Sequence, residues 1–193
     1  MCALTKGAPL NGLIVYGTTE GQTRKIAEWA AAHLRERGHE AELRDSAAAG
    51  SGLNLERFDA FIIAASVHHE FHQASVRDFV MAHRGALAAK QAAFISVSLS
   101  AALEGGQAEA RKYVASFLDA TGWKPKSTLL LGGALRFTDY DYFQEQIVRF
   151  NVMKGDAPPG VGHEDREFTD WNALGAFIDG FLADASGGRA AAR

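Results

Sequence analysis

The sequence predicts a doubly wound α/β domain, in which helices cover both faces of a parallel β-sheet. Short apolar runs suited to buried strands alternate with longer stretches whose apolar residues recur at helical spacing. The chain has 193 residues, 47% of them hydrophobic, which suits one domain with a substantial core. Polar loops follow several of the apolar runs, where a parallel sheet forms its ligand-binding edge.

The elements follow in the order that this fold requires. The predicted strands are 13–16, 40–44, 60–65, 92–99 and 128–131. The predicted helices are 23–37, 74–89, 107–121, 140–153 and a last helix capped by Thr169 or Asp170. The continuous apolar run at 60–65 is typical of a strand covered on both faces. We therefore expect five parallel strands in the order 2-1-3-4-5.

The same pattern predicts a single domain at 12–185. An extension of 1–11 precedes it, and a flexible tail of small residues at 186–193 follows. An insert of about 136–166 after the fifth strand is longer than a plain connection. Loops 66–73 and 100–106 leave the third and fourth strands.

Composition excludes several classes of function. The net charge is −3 with the signs mixed, which argues against a nucleic-acid partner. Cys2 is the sole cysteine, so no internal disulfide or cysteine-based metal site is expected. The longest apolar runs are shorter than the roughly 18 residues of a membrane span, and the N-terminus has no signal-peptide core. We therefore expect a cytoplasmic protein.

The loop between the first strand and the first helix predicts a phosphate site. It consists of Thr18, Thr19, Glu20, Gly21, Gln22 and Thr23. Backbone N–H groups and the positive end of a helix dipole would meet there, and the threonine hydroxyls can donate to phosphate oxygens. Neither Gly-x-x-x-x-Gly-Lys-Ser/Thr nor Gly-x-Gly-x-x-Gly occurs here, which argues against nucleoside triphosphates and dinucleotides. The alternative is an ordinary polar turn.

This loop resembles the phosphate loop of flavodoxins, which implies FMN as the cofactor. Beyond it, the chain resembles one flavodoxin subgroup, the menaquinone-dependent protoporphyrinogen oxidases of bacterial haem synthesis. The resemblance covers nearly all of 12–184, and its carriers are the motifs at 16–23, 64–67, 94–99, 132–137 and 169–171. It implies oxidation of protoporphyrinogen IX to protoporphyrin IX, an oxidation of CH–CH groups, with electrons passing through FMN to a quinone.

The resemblance also implies which residues flank the flavin ring. These are Ser66, Val67, His68 and His69 after the third strand, and Ser98, Leu99, Ser100 and Ala101 after the fourth. We assign no catalytic side chain, because the flavin performs the redox chemistry. Glu70 departs from the family pattern in this loop, and near a flavin its charge would disfavour an anionic reduced form.

Several residues admit two interpretations. His68, His69 and His72 could bind a metal, but no cysteine or second acidic cluster lies nearby, so we expect no metal and a solvated loop over the flavin. Arg136 could meet a porphyrin propionate or a carboxylate of the insert. The apolar stripe of Phe143, Ile147 and Phe150 could contact a quinone, a membrane or the domain itself.

Contact with a membrane and the class of function each have more than one interpretation. The charges of the insert are mixed, so peripheral contact with the inner face of the cell membrane is only weakly indicated. Besides the oxidase, the chain could be a flavodoxin-like electron carrier without a small-molecule substrate, or a flavin-free interaction module.

Trp171 is expected in the core beneath the last helix.

Overall fold

The computed structural model describes residues 8–48, 53–135 and 166–191. Its main sheet has five parallel strands, which are β1 (Asn11–Gly17), β2 (Glu40–Asp45), β3 (Ala60–His68), β5 (Gln91–Ser98) and β6 (Ser127–Gly132). A two-residue strand, β4 (Phe71–His72), pairs antiparallel with the end of β3. The parallel strands lie in the order β2-β1-β3-β5-β6. The predicted order is therefore confirmed, and β4 is an addition that the sequence pattern did not predict.

The central strands are apolar on both faces because helices cover the sheet on both sides. Ile14 of β1 pairs in register with Ile62 of β3, and Leu13 pairs with Phe61. All four side chains are at most 1% exposed. Because successive residues of a strand point to opposite faces, each strand contributes to both hydrophobic cores.

Helices of the described ranges complete the two layers. They are α1 (Gln22–Glu36), α2 (Ala74–Ala89), α3 (Leu99–Ala102), α4 (Gln107–Thr121) and α5 (Trp171–Ala191), with a 3-10 turn at Leu55–Arg57. Helices α1 and α5 cover one face of the sheet, and Ile26 and Ile178 lie in that core. Helices α2 and α4 cover the other, with Val80 and Phe117. No helix within the described ranges has both the length and the apolar character needed to cross a bilayer.

The segment after the third parallel strand differs from the predicted polar loop at 66–73. Strand β3 continues to His68, the chain turns at His69 and Glu70, and β4 returns beside it. Both turn residues have positive φ, 47° and 71°, as in the type I′ turns that close two-residue hairpins. This hairpin could not be predicted from the sequence, since neither turn position holds the Asn or Gly that usually indicates such a turn.

Two other predicted boundaries need correction. The loop predicted at 100–106 contains the short helix α3, where the Ser98 hydroxyl caps the first turn by accepting from the Ala101 N–H at 3.1 Å. Helix α5 continues through Ser186 to Ala191, although a tail was predicted from position 186. At its start, Asp170 accepts from the Ala173 N–H at 2.9 Å, as predicted for a cap.

The base of the predicted insert is a second, smaller sheet. Strand β7 (Ala134–Leu135) pairs antiparallel with β8 (Arg166–Glu167). The predicted helix at 140–153, Arg136 and the apolar stripe at 143, 147 and 150 lie outside the described residues. Where the chain returns from the insert, it therefore lies beside the end of β6, at the ligand-binding edge of the main sheet.

Candidate functional site

An open cleft lies at the carboxyl ends of β1, β3 and β5, where the strand order reverses. It encloses about 520 Å³, its open mouth included. The residues that line it are Thr18, Thr19, Glu20, Gln22, Thr23, Ser66, Val67, His68, Val97, Ser98, Leu99, Gly133 and Ala134. The three predicted loops therefore meet in one place, and the end of β6 adds a fourth wall. We call this the flavin cleft.

The loop at 18–23 presents the start of α1 to the cleft. Gly21 stands at the N-cap with φ of 89°, a conformation that glycine adopts without strain. Its N–H donates to Thr18 Oγ1 at 2.9 Å, and its carbonyl accepts from Lys25 N at 3.1 Å. No side chain in the described ranges caps the helix. The N–H groups of the first turn point toward the helix N-terminus, so an anion placed there would receive them and the helix dipole together.

The buried hydroxyl of Thr23 is the strongest indication that an anion binds at this position. Its side chain is fully buried and lines the cleft, yet its hydroxyl has no hydrogen-bond partner among the residues described. An unsatisfied buried hydroxyl costs about 1–3 kcal/mol, so native structures rarely contain one without a reason. An acceptor oxygen at the mouth of this loop would satisfy it. The residues present therefore fit a phosphate monoester held by amides and hydroxyls.

The lining of the cleft beside this loop is acidic rather than basic. It includes Glu20 but no Lys or Arg. Glu20 Oε1 lies 3.8 Å from Nδ1 of His68, which reaches across from the end of β3. The affinity for an anion would therefore come mainly from the backbone amides and hydroxyls.

Gln73, at the start of α2, joins two walls of the cleft. Its Nε2 donates to Thr19 Oγ1 at 3.2 Å and also to Ser66 Oγ. Thr19 belongs to the phosphate loop, and Ser66 belongs to β3 on the predicted ring-binding side. One amide group therefore holds both walls at a set separation.

Thr169 joins the phosphate loop to the end of β6. Its hydroxyl donates to the Gly132 carbonyl at the end of β6 at 2.9 Å and accepts from Gln22 Nε2 at 2.9 Å. Nearby, Lys25 of α1 lies 2.5 Å from Glu167 of β8 and holds the pKa of that carboxyl below its usual value. The return from the insert is thus attached to the first turns of α1.

Comparison with known proteins decides the family. A family model described as a flavodoxin domain matches residues 13–159, which is most of the chain. The chain belongs to the flavodoxin domain family. A short-chain flavodoxin associated with a bacterial microcompartment has a TM-score of 0.57 at 12% identity, over 91% of this chain and 99% of that one. At this identity the likeness shows the fold alone.

The flavodoxin domain also has curated relatives of similar length. It is 28% identical over 166 residues to a protein of Escherichia coli strain K12 named protoporphyrinogen IX dehydrogenase (quinone), covering 86% of this chain and 91% of that protein. A protein of the same name from Leishmania major is 27% identical over 176 residues, covering 89% and 74%. The predicted resemblance is confirmed, and a flavin-binding domain follows from the family.

Ten of the fourteen predicted cofactor-binding residues line the cleft of this flavodoxin domain, and four do not. Gly21 lies within the phosphate loop but has no side chain, and His69 is at the tip of the hairpin. Ser100 is buried in α3, and the N–H of Ala101 is already bound to Ser98. Contact with the cofactor stays a prediction for all fourteen residues.

The flavodoxin domain adds three lining residues that were not predicted as site residues. Val97 ends the apolar run of β5, and Gly133 and Ala134 follow β6. The Gly132-Gly133 pair after a predicted strand was the available signal, because glycine marks close backbone approach. Val97 carried no such signal, since it resembles any other core residue of the strand.

The predicted solvated histidine loop is wrong for His72. This side chain is 9% exposed and packs against Phe94 and Phe117, with ring centroids 5.2 and 4.9 Å away. Its Nε2 lies 2.9 Å from Ser96 Oγ, and burial lowers its pKa to about 4. His72 therefore belongs to the core, and the described residues contain no group of three or more potential metal ligands.

Trp171 is less deeply buried than predicted. It is half-buried at the start of α5, where its Nε1 donates to Glu167 Oε1 at 2.9 Å. Its ring lies over the edge of α1, 5.6 Å from Trp29 between centroids. In this flavodoxin domain Trp171 thus packs against the edge of the predicted core and also holds the return from the insert.

Proposed function

We propose that this chain is an FMN-dependent oxidoreductase that converts protoporphyrinogen IX to protoporphyrin IX and passes the electrons to a quinone. The unpaired hydroxyl of Thr23 at the uncapped start of α1 carries the cofactor assignment. The names and coverage of the two curated relatives support the substrate and the acceptor.

The chain's own residues bind and orient the cofactor in this proposal. The first-turn amides of α1 and the hydroxyls of Thr18, Thr19 and Thr23 hold the phosphate. The backbone at 66–68 and 98–99 flanks the ring, and Gly133 permits close approach from the side of β6. When bound, FMN supplies the transfer of hydrogen and electrons between porphyrinogen and quinone.

A long-chain quinone resides in the membrane. We therefore propose that this protein is cytoplasmic and binds peripherally to the inner face of the cell membrane. The relatives' names include a quinone acceptor, which supports this arrangement. Sedimentation of the protein with anionic lipid vesicles, with and without quinone dissolved in them, tests it. A protein that stays in the supernatant in both cases contradicts membrane contact.

Titration with FMN tests the cofactor assignment directly. The apoprotein should quench the fluorescence of FMN at one equivalent, and riboflavin should bind far more weakly because it lacks the phosphate that the loop is proposed to hold. Equal affinity for FMN and riboflavin would contradict the phosphate site, and the absence of binding to either would remove the flavin proposal.

Turnover separates an enzyme from an electron carrier. The FMN-loaded protein is mixed without oxygen with protoporphyrinogen IX and a soluble quinone, and porphyrin fluorescence is followed. We expect porphyrin to form only when protein and quinone are both present, with FMN-free protein as the control. A protein that binds FMN but produces no porphyrin above the background would instead be an electron carrier.

A further inference from the structure

A second cleft adjoins the flavin cleft on the other side of the β3–β4 hairpin. It lies between that hairpin, the start of α2 and the middle of α4, and encloses about 900 Å³ with its open mouth included. Thr19 and His68 line both clefts. A molecule in the second cleft would therefore lie against two of the side chains that also line the flavin cleft. We call it the α2–α4 cleft.

Aromatic side chains form much of its wall. Phe71 is 69% exposed and is one of two large hydrophobic side chains that are exposed in the described ranges. It projects from the hairpin, and Tyr113 and Phe117 of α4 also line the cleft, each 5% exposed. An exposed phenylalanine beside two further aromatic rings suits a flat aromatic ligand, because such rings gain both apolar burial and stacking.

The charges around the α2–α4 cleft favour a neutral ligand. Its charged lining residues are Glu70 and Arg77, of opposite sign, and His68, the buried His72 and Tyr113 also line it. Protoporphyrinogen IX carries two propionate carboxylates, which a lining with net positive charge would suit, and Arg77 is the one Lys or Arg among the described residues of this lining. A quinone is flat, uncharged and polar only at its carbonyl oxygens, which matches an aromatic wall with a few hydrogen-bond donors.

The hairpin between the two clefts is held in a strained conformation. His69 and Glu70 both have positive φ, a backbone conformation that residues with a side chain rarely adopt. Such strain persists where the surrounding structure requires it, often at functional sites. In this protein the strained turn places His68 at the flavin cleft and Phe71 at the α2–α4 cleft.

We infer that the α2–α4 cleft is the binding site of the quinone acceptor, an inference that rests on the proposed function. The quinone gains two electrons and two protons and leaves as a hydroquinone. The electrons are those removed from the porphyrinogen, and an equal number of protons is released as the porphyrinogen is oxidised. Separate clefts would allow porphyrinogen and quinone to approach the cofactor from different sides.

A bulky residue on α4 tests this inference. Ser116 is exposed and lines the α2–α4 cleft, so Ser116→Trp should fill it without disturbing the core. Ala115 is its exposed neighbour outside the lining, and Ala115→Trp is the matched control. Calorimetric titration with menadione, a naphthoquinone without an isoprenoid tail, should show at least tenfold weaker binding to Ser116→Trp. The KM for menadione should rise by a similar factor, while FMN affinity stays unchanged.

The outcomes distinguish this inference from the proposed function. Wild-type menadione affinity in a folded Ser116→Trp protein that still binds FMN would overturn the quinone site and leave the proposed function intact. Weakened menadione binding to that variant would support the site even if porphyrinogen were not a substrate. Circular dichroism checks folding, and Ala120→Trp, one turn along the same cleft wall, replaces Ser116→Trp if that variant is unfolded.

Discussion

The side chains of Gln22 and Thr169 meet at 2.9 Å although they lie 147 positions apart. Gln22 is the first residue of α1, and Thr169 precedes α5 after the chain has returned from the insert. Because Thr169 also donates to the Gly132 carbonyl, one hydroxyl joins two walls of the flavin cleft, the start of α1 and the end of β6. The shape of the phosphate loop therefore depends on a residue remote from it in sequence.

Removal of this hydroxyl should weaken cofactor binding. Thr169→Val keeps the side-chain shape but loses both hydrogen bonds, each with a net value of about 1 kcal/mol. We expect FMN affinity to fall by about fivefold or more, measured by fluorescence titration. Thr169→Ser should restore it. Lys25→Gln, which breaks a largely exposed ion pair with Glu167 and a cation–π contact with Trp171 beside the same loop, serves as the control and should change affinity little. Unchanged affinity in Thr169→Val would contradict this role.

Thr23 should show opposite effects on stability and binding. Thr23→Val replaces a buried, unpaired hydroxyl by a methyl group, so the apoprotein should be as stable as wild type or more stable in urea. The same change removes a donor to the phosphate, and FMN affinity should fall roughly tenfold or more. Thr128→Val, at an exposed position on β6, is the control for both measurements. A Thr23→Val protein that binds FMN normally would disprove the phosphate contact.

A side chain at position 21 should destabilise the protein, mainly because of the backbone conformation of Gly21. No atom in the described part of the chain lies within 4 Å of a Cβ placed there, but φ is 89°. Gly21→Ala should destabilise the apoprotein by about 1–2 kcal/mol through this strain, and Gly21→Val should lose FMN binding as well. Gly85→Ala is the matched control, since its Cβ also meets open space but lies within α2. A Gly21→Ala protein as stable as wild type would contradict the strained φ.

His72 should make the fold sensitive to acid. Its pKa is about 4 in the folded protein because burial disfavours the charged ring, against an ordinary value of 6.5. The unfolded chain therefore binds more protons between these values. Stability should fall as the pH drops from about 6.5 to 4, by on the order of 3 kcal/mol.

Urea unfolding at several pH values measures this contribution. In His72→Phe the loss of stability over that interval should be smaller by the same amount. Tyr113→Phe alters a buried ring on the neighbouring helix α4 without removing an imidazole, so it should keep the wild-type slope. An unchanged slope in His72→Phe would show that protonation of another group controls the acid response.

The phosphate loop could be predicted from the sequence because its geometry is local. A strand, a glycine able to adopt positive φ and a helix start follow within a few residues, so short-range preferences define it. The hairpin at His69 and Glu70 could not be predicted, since its residues contradict the usual turn chemistry and tertiary contacts overcome that preference.

The sequence by itself determined the alternation of strands and helices, the family and most of the residues that line the flavin cleft, because periodicity and short motifs act over neighbouring positions. Only the tertiary structure decided how the walls of the cleft are joined by Gln73 and Thr169, why His72 is buried, and where a second cleft opens beside the first. These features arise from side chains of distant segments that packing brings together. No local pattern specifies which of them will meet.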